Sequence, residues 1–194
     1  MPPNPLGPVV WVLHGKDTDP RKLAPWIPTS LAEVVFVQAP EGWLAGGGTV
    51  SQAASELLLD ALNSRIPGPF VNNKKTRPWV IIGYDVGADI ALQLAGVTAG
   101  APDAVVLAAP LQPSKVPGAD GQKRWLVYLV GEKDPQAAAV QAAVEVANKP
   151  TNVGGLGYNA SARVVAGAGH ELPPLGPQLR DLLLDVFSMF PYPS

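Results

Sequence analysis

The 194-residue chain contains no cysteine. That excludes a disulfide scaffold, a thiolate nucleophile and any cysteine-ligated metal, without fixing a compartment. It is poor in net charge as well: 14 basic residues against 16 acidic ones leave a formal charge of −2, and neither sign gathers into a long block. The clusters "NNKK" and "QKR" are short and read as solvated loops. Composition therefore gives nucleic-acid binding no support. No apolar run approaches the roughly 18 residues of a membrane span, and "MPPNPLGP" lacks the basic start and apolar stretch of a signal peptide. The expectation is a soluble, cytoplasmic protein with no membrane span. Nor is there an internal repeat, or a linker rich enough to split the chain.

What is present is a large apolar fraction, 47%. That is enough to bury one core, so residues 1–194 read as a single domain. The 22 prolines and 20 glycines fall between the apolar runs and read as loop punctuation. Six short β-branched runs are strand candidates: Val9 to Leu13, Val34 to Gln38, Trp79 to Tyr84, Ala104 to Ala109, Trp125 to Val130 and Ala162 to Ala166. Most are continuously apolar, as strands buried on both faces of a parallel sheet are. Helical spacing fills the intervals at Val50 to Leu62, Val86 to Ala95, Pro135 to Asn148 and Pro177 to Met189, with Pro135 suited to a first helical turn. The alternation predicts an α/β fold, a doubly wound and mainly parallel sheet of about six strands with helices on both faces. The tracts "AGGGTV" and "LQPSKVPGADGQ" are too short for a cap domain, so any site should be open.

Ligands of such sheets gather beyond the carboxyl ends of the strands. There the sequence places "HGKD", "YDVG", "GEKDP" and "GAGHELP", so four polar groups converge on one edge. With these motifs the chain resembles the α/β-hydrolase fold from Val9 to Met189, and its size is similar to that of compact carboxylesterases and dienelactone hydrolases. The family order of nucleophile, acid and histidine is matched by Asp85, Asp134 and His170. The resemblance implies a nucleophile elbow at "GYDVG", with Gly83 and Gly87 as the small residues a sharp turn requires. It implies an oxyanion hole from the N–H of Val86 and that of Lys16 or Asp17. His170 would act as general base, and Asp134 would hold its tautomer. Simpler roles compete: an aspartate after a strand is often a turn or helix-capping residue, and a histidine can be buried packing.

His14 is read as ordering the "HG" loop. Asp89, one helical turn beyond Asp85, is read as facing solvent or a neighbouring loop. Asp17, Asp19 and Glu41 have no metal-ligand spacing, and no cofactor is expected. Trp26 and Trp43 are read as packing residues, and the apolar end "VFSMFPYP" as covering the core.

An aspartate at the elbow changes the chemistry. A carboxylate is anionic at neutral pH without help, so the histidine remains free to activate water. Three readings follow. The first is an esterase-like hydrolase with Asp85 as nucleophile, acting on a small-molecule substrate. The second is haloalkane dehalogenase or epoxide hydrolase chemistry, because "GYDVG" is similar to the elbows of those families; it departs from them in having Val86 where a tryptophan often follows, and no cap. The third is a catalytically inactive relative that binds a small molecule or a protein, with Asp85 paired to a cation such as Lys16.

Overall fold

The computed structural model describes residues 7–15, 19–37, 49–72, 74–96, 101–118, 124–149 and 157–190. In chain order the strands are β1 (Val9–Leu13), β2 (Glu33–Val37), β3 (Phe70–Val71), β4 (Lys74–Lys75), β5 (Trp79–Tyr84), β6 (Ala104–Ala108), β7 (Trp125–Gly131) and β8 (Asn159–Val165). The helices are α1 (Val50–Leu62), α2 (Val86–Ala95), α3 (Ala137–Ala147) and α4 (Leu172–Ser188), with a 3-10 helix at Pro20–Trp26. Six strands form one sheet in the order β2-β1-β5-β6-β7-β8, and every pair in it is parallel. Strands β3 and β4 form a separate antiparallel ribbon.

The continuous apolar runs have a simple cause. Val9, Trp11 and Leu13 of β1, with Trp79 and Ile81 of β5, face the layer of α1, α2 and α3. Their alternates Val10, Val12, Val80 and Ile82 face the 3-10 helix and α4. A sheet covered on both faces needs apolar residues at every position. The chain leaves β1 for β2 on one side and returns to β5 on the other. That strand-order reversal opens a crevice above the carboxyl ends of β1 and β5.

Local differences from the sequence reading have physical reasons. Strand β8 begins at Asn159, three residues before the expected Ala162, because an edge strand exposes part of its surface and needs no apolar run there. Strand β6 stops at Ala108, since Ala109 turns away with φ 46°. Helix α4 begins at Leu172 and not at Pro177. Pro173 and Pro174 fit its first turn, where N–H groups lack partners in any case, while Pro177 lies inside the helix and forgoes one bond.

Pro135 stays outside α3, because Asp134 organises a turn: its carbonyl accepts from Ala137 N at 3.0 Å and its Oδ1 from Gln136 N at 2.8 Å. Of "QKR", Arg124 is not solvated but buried, donating through Nη1 to the carbonyl of Ala95 at the end of α2. Val186 and Phe187 enter the core and Met189 and Phe190 pack against it, as expected of the C-terminal end, whose last four residues lie outside the described residues. Among the described residues no helix is long and apolar enough to cross a membrane.

Candidate active site

Only Asp85 separates the end of β5 from the start of α2. Its backbone takes φ 56° and ψ −126°, a conformation that L-residues seldom adopt. Crowding enforces the turn. A Cβ on Gly83 would stand 2.3 Å from the carbonyl oxygen of Gly87, and one on Gly87 would stand 2.5 Å from that of His14. The Asp85 N–H is tied to the carbonyl of Ala108 at 3.0 Å, which fixes the turn to β6. A Cβ on Gly15 would lie 2.5 Å from Asp85 Oδ2, so the loop after β1 presses directly on this carboxylate.

Although Asp85 occupies the N-cap position of α2, its side chain makes no capping bond. The N–H of Val86 opens the helix and has no intrahelical partner to find. The positive end of α2 is thus available to an anion. Lys16 and Asp17, the expected sources of a second N–H, lie outside the described residues, as do Glu41 and Trp43.

The structure brings Asp85, Asp134 and His170 together. His170, in the loop between β8 and α4, places Nδ1 at 2.8 Å from Asp134 Oδ2 and Nε2 at 3.4 Å from Asp85 Oδ1. The Asp134 side chain is 0% exposed, against 23% for Asp85 and 32% for His170. A carboxylate here can only accept, so Nδ1 carries the proton and donates it to Asp134. Asp134 also holds the turn that leads into α3, its Oδ1 accepting from the Gln136 N–H. Holding the turn and orienting the histidine are therefore served by two oxygens of one residue and are not rival roles. The end of β7 and the histidine loop lie in contact: a Cβ on Gly131 would stand 2.2 Å from the carbonyl of Gly169.

One residue of the site escaped the sequence reading. The Tyr84 hydroxyl donates to the carbonyl of His170 at 3.1 Å, and the two rings lie 5.9 Å apart. Burial pushes the Tyr84 phenol up from its ordinary value, and the charges of Asp85, Glu171 and Asp134 add to this. The available signal was an aromatic residue immediately before Asp85.

Asp89 is buried, being 3% exposed. Its Oδ1 accepts from Gln112 N at 2.9 Å, the neighbouring-loop alternative of the two read from sequence. Burial raises its carboxyl to about 6, opposed by the N–H groups of Gln112 and Leu111. His14 donates from Nδ1 to the carbonyl of Gly15, holding its own loop. Trp26 packs on α4, where a Cβ at Gly176 would collide with the indole. Asp19 caps the 3-10 helix by accepting from Arg21 N at 2.9 Å. Among the described residues no cluster of three or more potential ligands could hold a metal ion.

No family model matches the sequence, and no curated protein matches it. Solved structures do. The dienelactone hydrolase of Anabaena variabilis is similar at 18% identity and a TM-score of 0.71, over 97% of this chain and 88% of that one. The Bacillus cereus carboxylesterase is similar at 21% identity and a TM-score of 0.62, over 94% of this chain and 88% of that one. A predicted CIB-like hydrolase from Thermoplasma acidophilum is similar at 14% identity and a TM-score of 0.61, over 94% and 86%. At such identities the likeness is one of fold. With its six parallel strands, its helices on both faces and no cap domain among the described residues, the chain has the α/β-hydrolase fold in its minimal form.

Proposed function

We propose that this protein is a hydrolase in which Asp85 is the nucleophile, His170 activates water and Asp134 orients the histidine. The observation that carries the reading is the pair of contacts made by one imidazole: Nδ1 anchored by Asp134 and Nε2 turned to Asp85. An Asp85 oxygen attacks an electrophilic carbon, the leaving group departs with the bonding pair, and the substrate carbon becomes esterified to the enzyme. His170 Nε2 then takes a proton from water as it adds to the Asp85 carbonyl. The developing oxyanion is met by the Val86 N–H, and by an N–H from Lys16 or Asp17. Collapse of the intermediate breaks the bond between the Asp85 carboxyl carbon and the product oxygen, which leaves with the proton from His170, and restores the carboxylate and the neutral imidazole.

Small ester-like substrates fit an open site without a cap. Alkyl halides and epoxides are the second reading, favoured by the identity of the nucleophile. A carboxylate that attacks an sp³ carbon forms an ordinary ester, whereas attack on an ester forms a mixed anhydride of higher energy.

Replacing His170 with glutamine separates the two steps. With an ester, an alkyl halide or an epoxide supplied, the variant should accumulate an adduct at Asp85, read as a mass increase of the intact protein. No adduct with any of the three, together with no turnover by the parent protein, would remove the reading.

A further inference from the structure

Tyr84 ends β5 immediately before Asp85, and its ring belongs to the apolar layer beneath α4 together with Leu172 and Leu175. A phenylalanine would fill that layer as well, so packing does not account for the hydroxyl. The hydroxyl is turned to the start of α4. It donates to the carbonyl of His170 at 3.1 Å, and the N–H of Leu172 approaches the same oxygen. Between those two residues Glu171 occupies the N-cap position, where its side chain makes no capping bond. Because Pro173 and Pro174 come next, Leu172 is the only one of the first three helical residues with an N–H to satisfy. Tyr84 supplies from the sheet what the cap residue does not.

Other ties of the histidine loop run to the turn after β7. The carbonyls of Val165 and Ala168 accept from the N–H groups of Glu132 and Lys133, Gly167 N donates to the Glu132 carboxylate, and His170 Nδ1 donates to Asp134. The bond from Tyr84 runs instead to the elbow, at the end of a strand that β6 separates from β7. A ring held through Nδ1 alone can pivot about that bond, and its loop includes Gly167 at φ 72°, a backbone with wide freedom. We propose that Tyr84 is a positioning residue for the water step: by gripping the His170 carbonyl it fixes a second point of the histidine and keeps Nε2 facing Asp85, 3.4 Å from Oδ1. Elbow and histidine are then joined through the residue next to the nucleophile. Burial keeps the phenol protonated, so the donor is present at neutral and mildly alkaline pH. The consequence for turnover rests on the hydrolase reading; the consequence for the ring does not, and the test reads both.

Tyr84→Phe keeps the ring and removes the hydroxyl. Tyr128→Phe is its control, since Tyr128 is a buried tyrosine of β7 whose hydroxyl likewise donates to a backbone carbonyl, that of Pro113 at 3.2 Å. Attack by Asp85 needs no proton from the histidine, so intact-protein mass in rapid-quench samples should show adduct forming in Tyr84→Phe within about twofold of the parent rate. Release of that adduct should slow about fivefold, the equivalent of one hydrogen bond, while Tyr128→Phe leaves both steps unchanged. Release unchanged in Tyr84→Phe, formation and release slowed alike, or equal slowing in the two variants would overturn the inference. The ring is read separately by nitrogen-15 labelling of the two histidines, the His170 signals being those lost in His170→Gln. Exchange of the His170 Nδ1 proton with water should quicken about fivefold in Tyr84→Phe and hold its parent rate in Tyr128→Phe. Unaltered exchange in Tyr84→Phe overturns the inference whatever the enzyme does. A protein that forms no adduct with any substrate loses the hydrolase reading, and proton exchange still decides whether Tyr84 holds the histidine.

Discussion

Asp85 and Asp134 each stand just past a buried parallel strand and each meet one nitrogen of His170, yet their surroundings treat them in opposite ways. Asp134 sits in an ordinary turn with its side chain fully buried and both oxygens engaged, one by Gln136 N and one by His170. Asp85 is held at φ 56°, is partly open to solvent and leaves its own helix uncapped. A satisfied carboxylate is a holder. One kept strained, accessible and with unsatisfied acceptor capacity is suited to attack, because bonds already made would have to be broken first.

Exchanging each carboxylate for its amide tests the contrast with the largest expected effect. Asp85→Asn removes the proposed nucleophile, and should abolish adduct formation and lower turnover by about 10³-fold or more. Asp134→Asn keeps Oδ1 for Gln136 but sets an amide donor against Nδ1, driving the imidazole proton to Nε2. The ring then no longer accepts a proton from water, so release should slow by about 10³-fold while attack by Asp85 continues. Intact-protein mass would show an accumulating adduct with Asp134→Asn and none with Asp85→Asn. Equal loss of adduct formation in both variants would erase the distinction.

This contrast was only half legible in the sequence. Strands β1, β5, β6 and β7 announced themselves because burial on both faces demands unbroken apolar runs, and the order Asp85, Asp134, His170 follows from where those strands end. Edge strand β8 hid its first three residues because half of its surface faces water. What composition and spacing do not encode is how each side chain divides its hydrogen bonds. That Asp134 holds a turn and orients His170 at once depends on the path through Pro135. The burial of Asp89 under the Gln112 loop depends on a contact across 23 residues, and a helix-spacing argument sees only a polar position one turn from Asp85.

Asp89 sharpens the comparison as a third carboxylate, neither attacking nor orienting. Its folded value of about 6 lies above the ordinary 3.8, so the native state holds this proton more tightly than the unfolded chain. Below about pH 4 both states are protonated and the contribution is complete. It is lost as the pH rises through 6. The rise from 3.8 to about 6 corresponds to about 3 kcal/mol. Among the described residues, Asp85, Lys115 and Tyr128 are titratable groups that interact with it, and they are present in parent and variant alike. Denaturant unfolding of the parent and of Asp89→Asn should therefore diverge with pH, the difference moving toward the variant by about 3 kcal/mol between about pH 4 and pH 7.5. A difference independent of pH would mean that Asp89 is solvated.

The smallest effect bears most directly on the strain at Asp85. A non-glycine residue held at φ 56° and ψ −126° carries on the order of 1–3 kcal/mol of backbone strain. Asp85→Gly relieves it, and against this stands the larger conformational entropy of glycine in the unfolded chain, roughly 0.5–1 kcal/mol. The substitution also removes the approach of Oδ1 to His170 Nε2, which at 3.4 Å and partly exposed weighs little in the balance. The net expectation is stabilisation by about 1 kcal/mol, an increase in melting temperature of about 3 °C for a domain of this size, alongside complete loss of adduct formation. Asp134→Gly should move the other way, since it removes a turn-holding hydrogen bond, an anchor for His170 and buried packing from an unstrained turn. Opposite signs at the two positions would show that the fold bears a cost at Asp85 and draws support from Asp134. The same sign at both would mean that the left-handed turn is no reservoir of strain, and that the two aspartates differ in exposure alone.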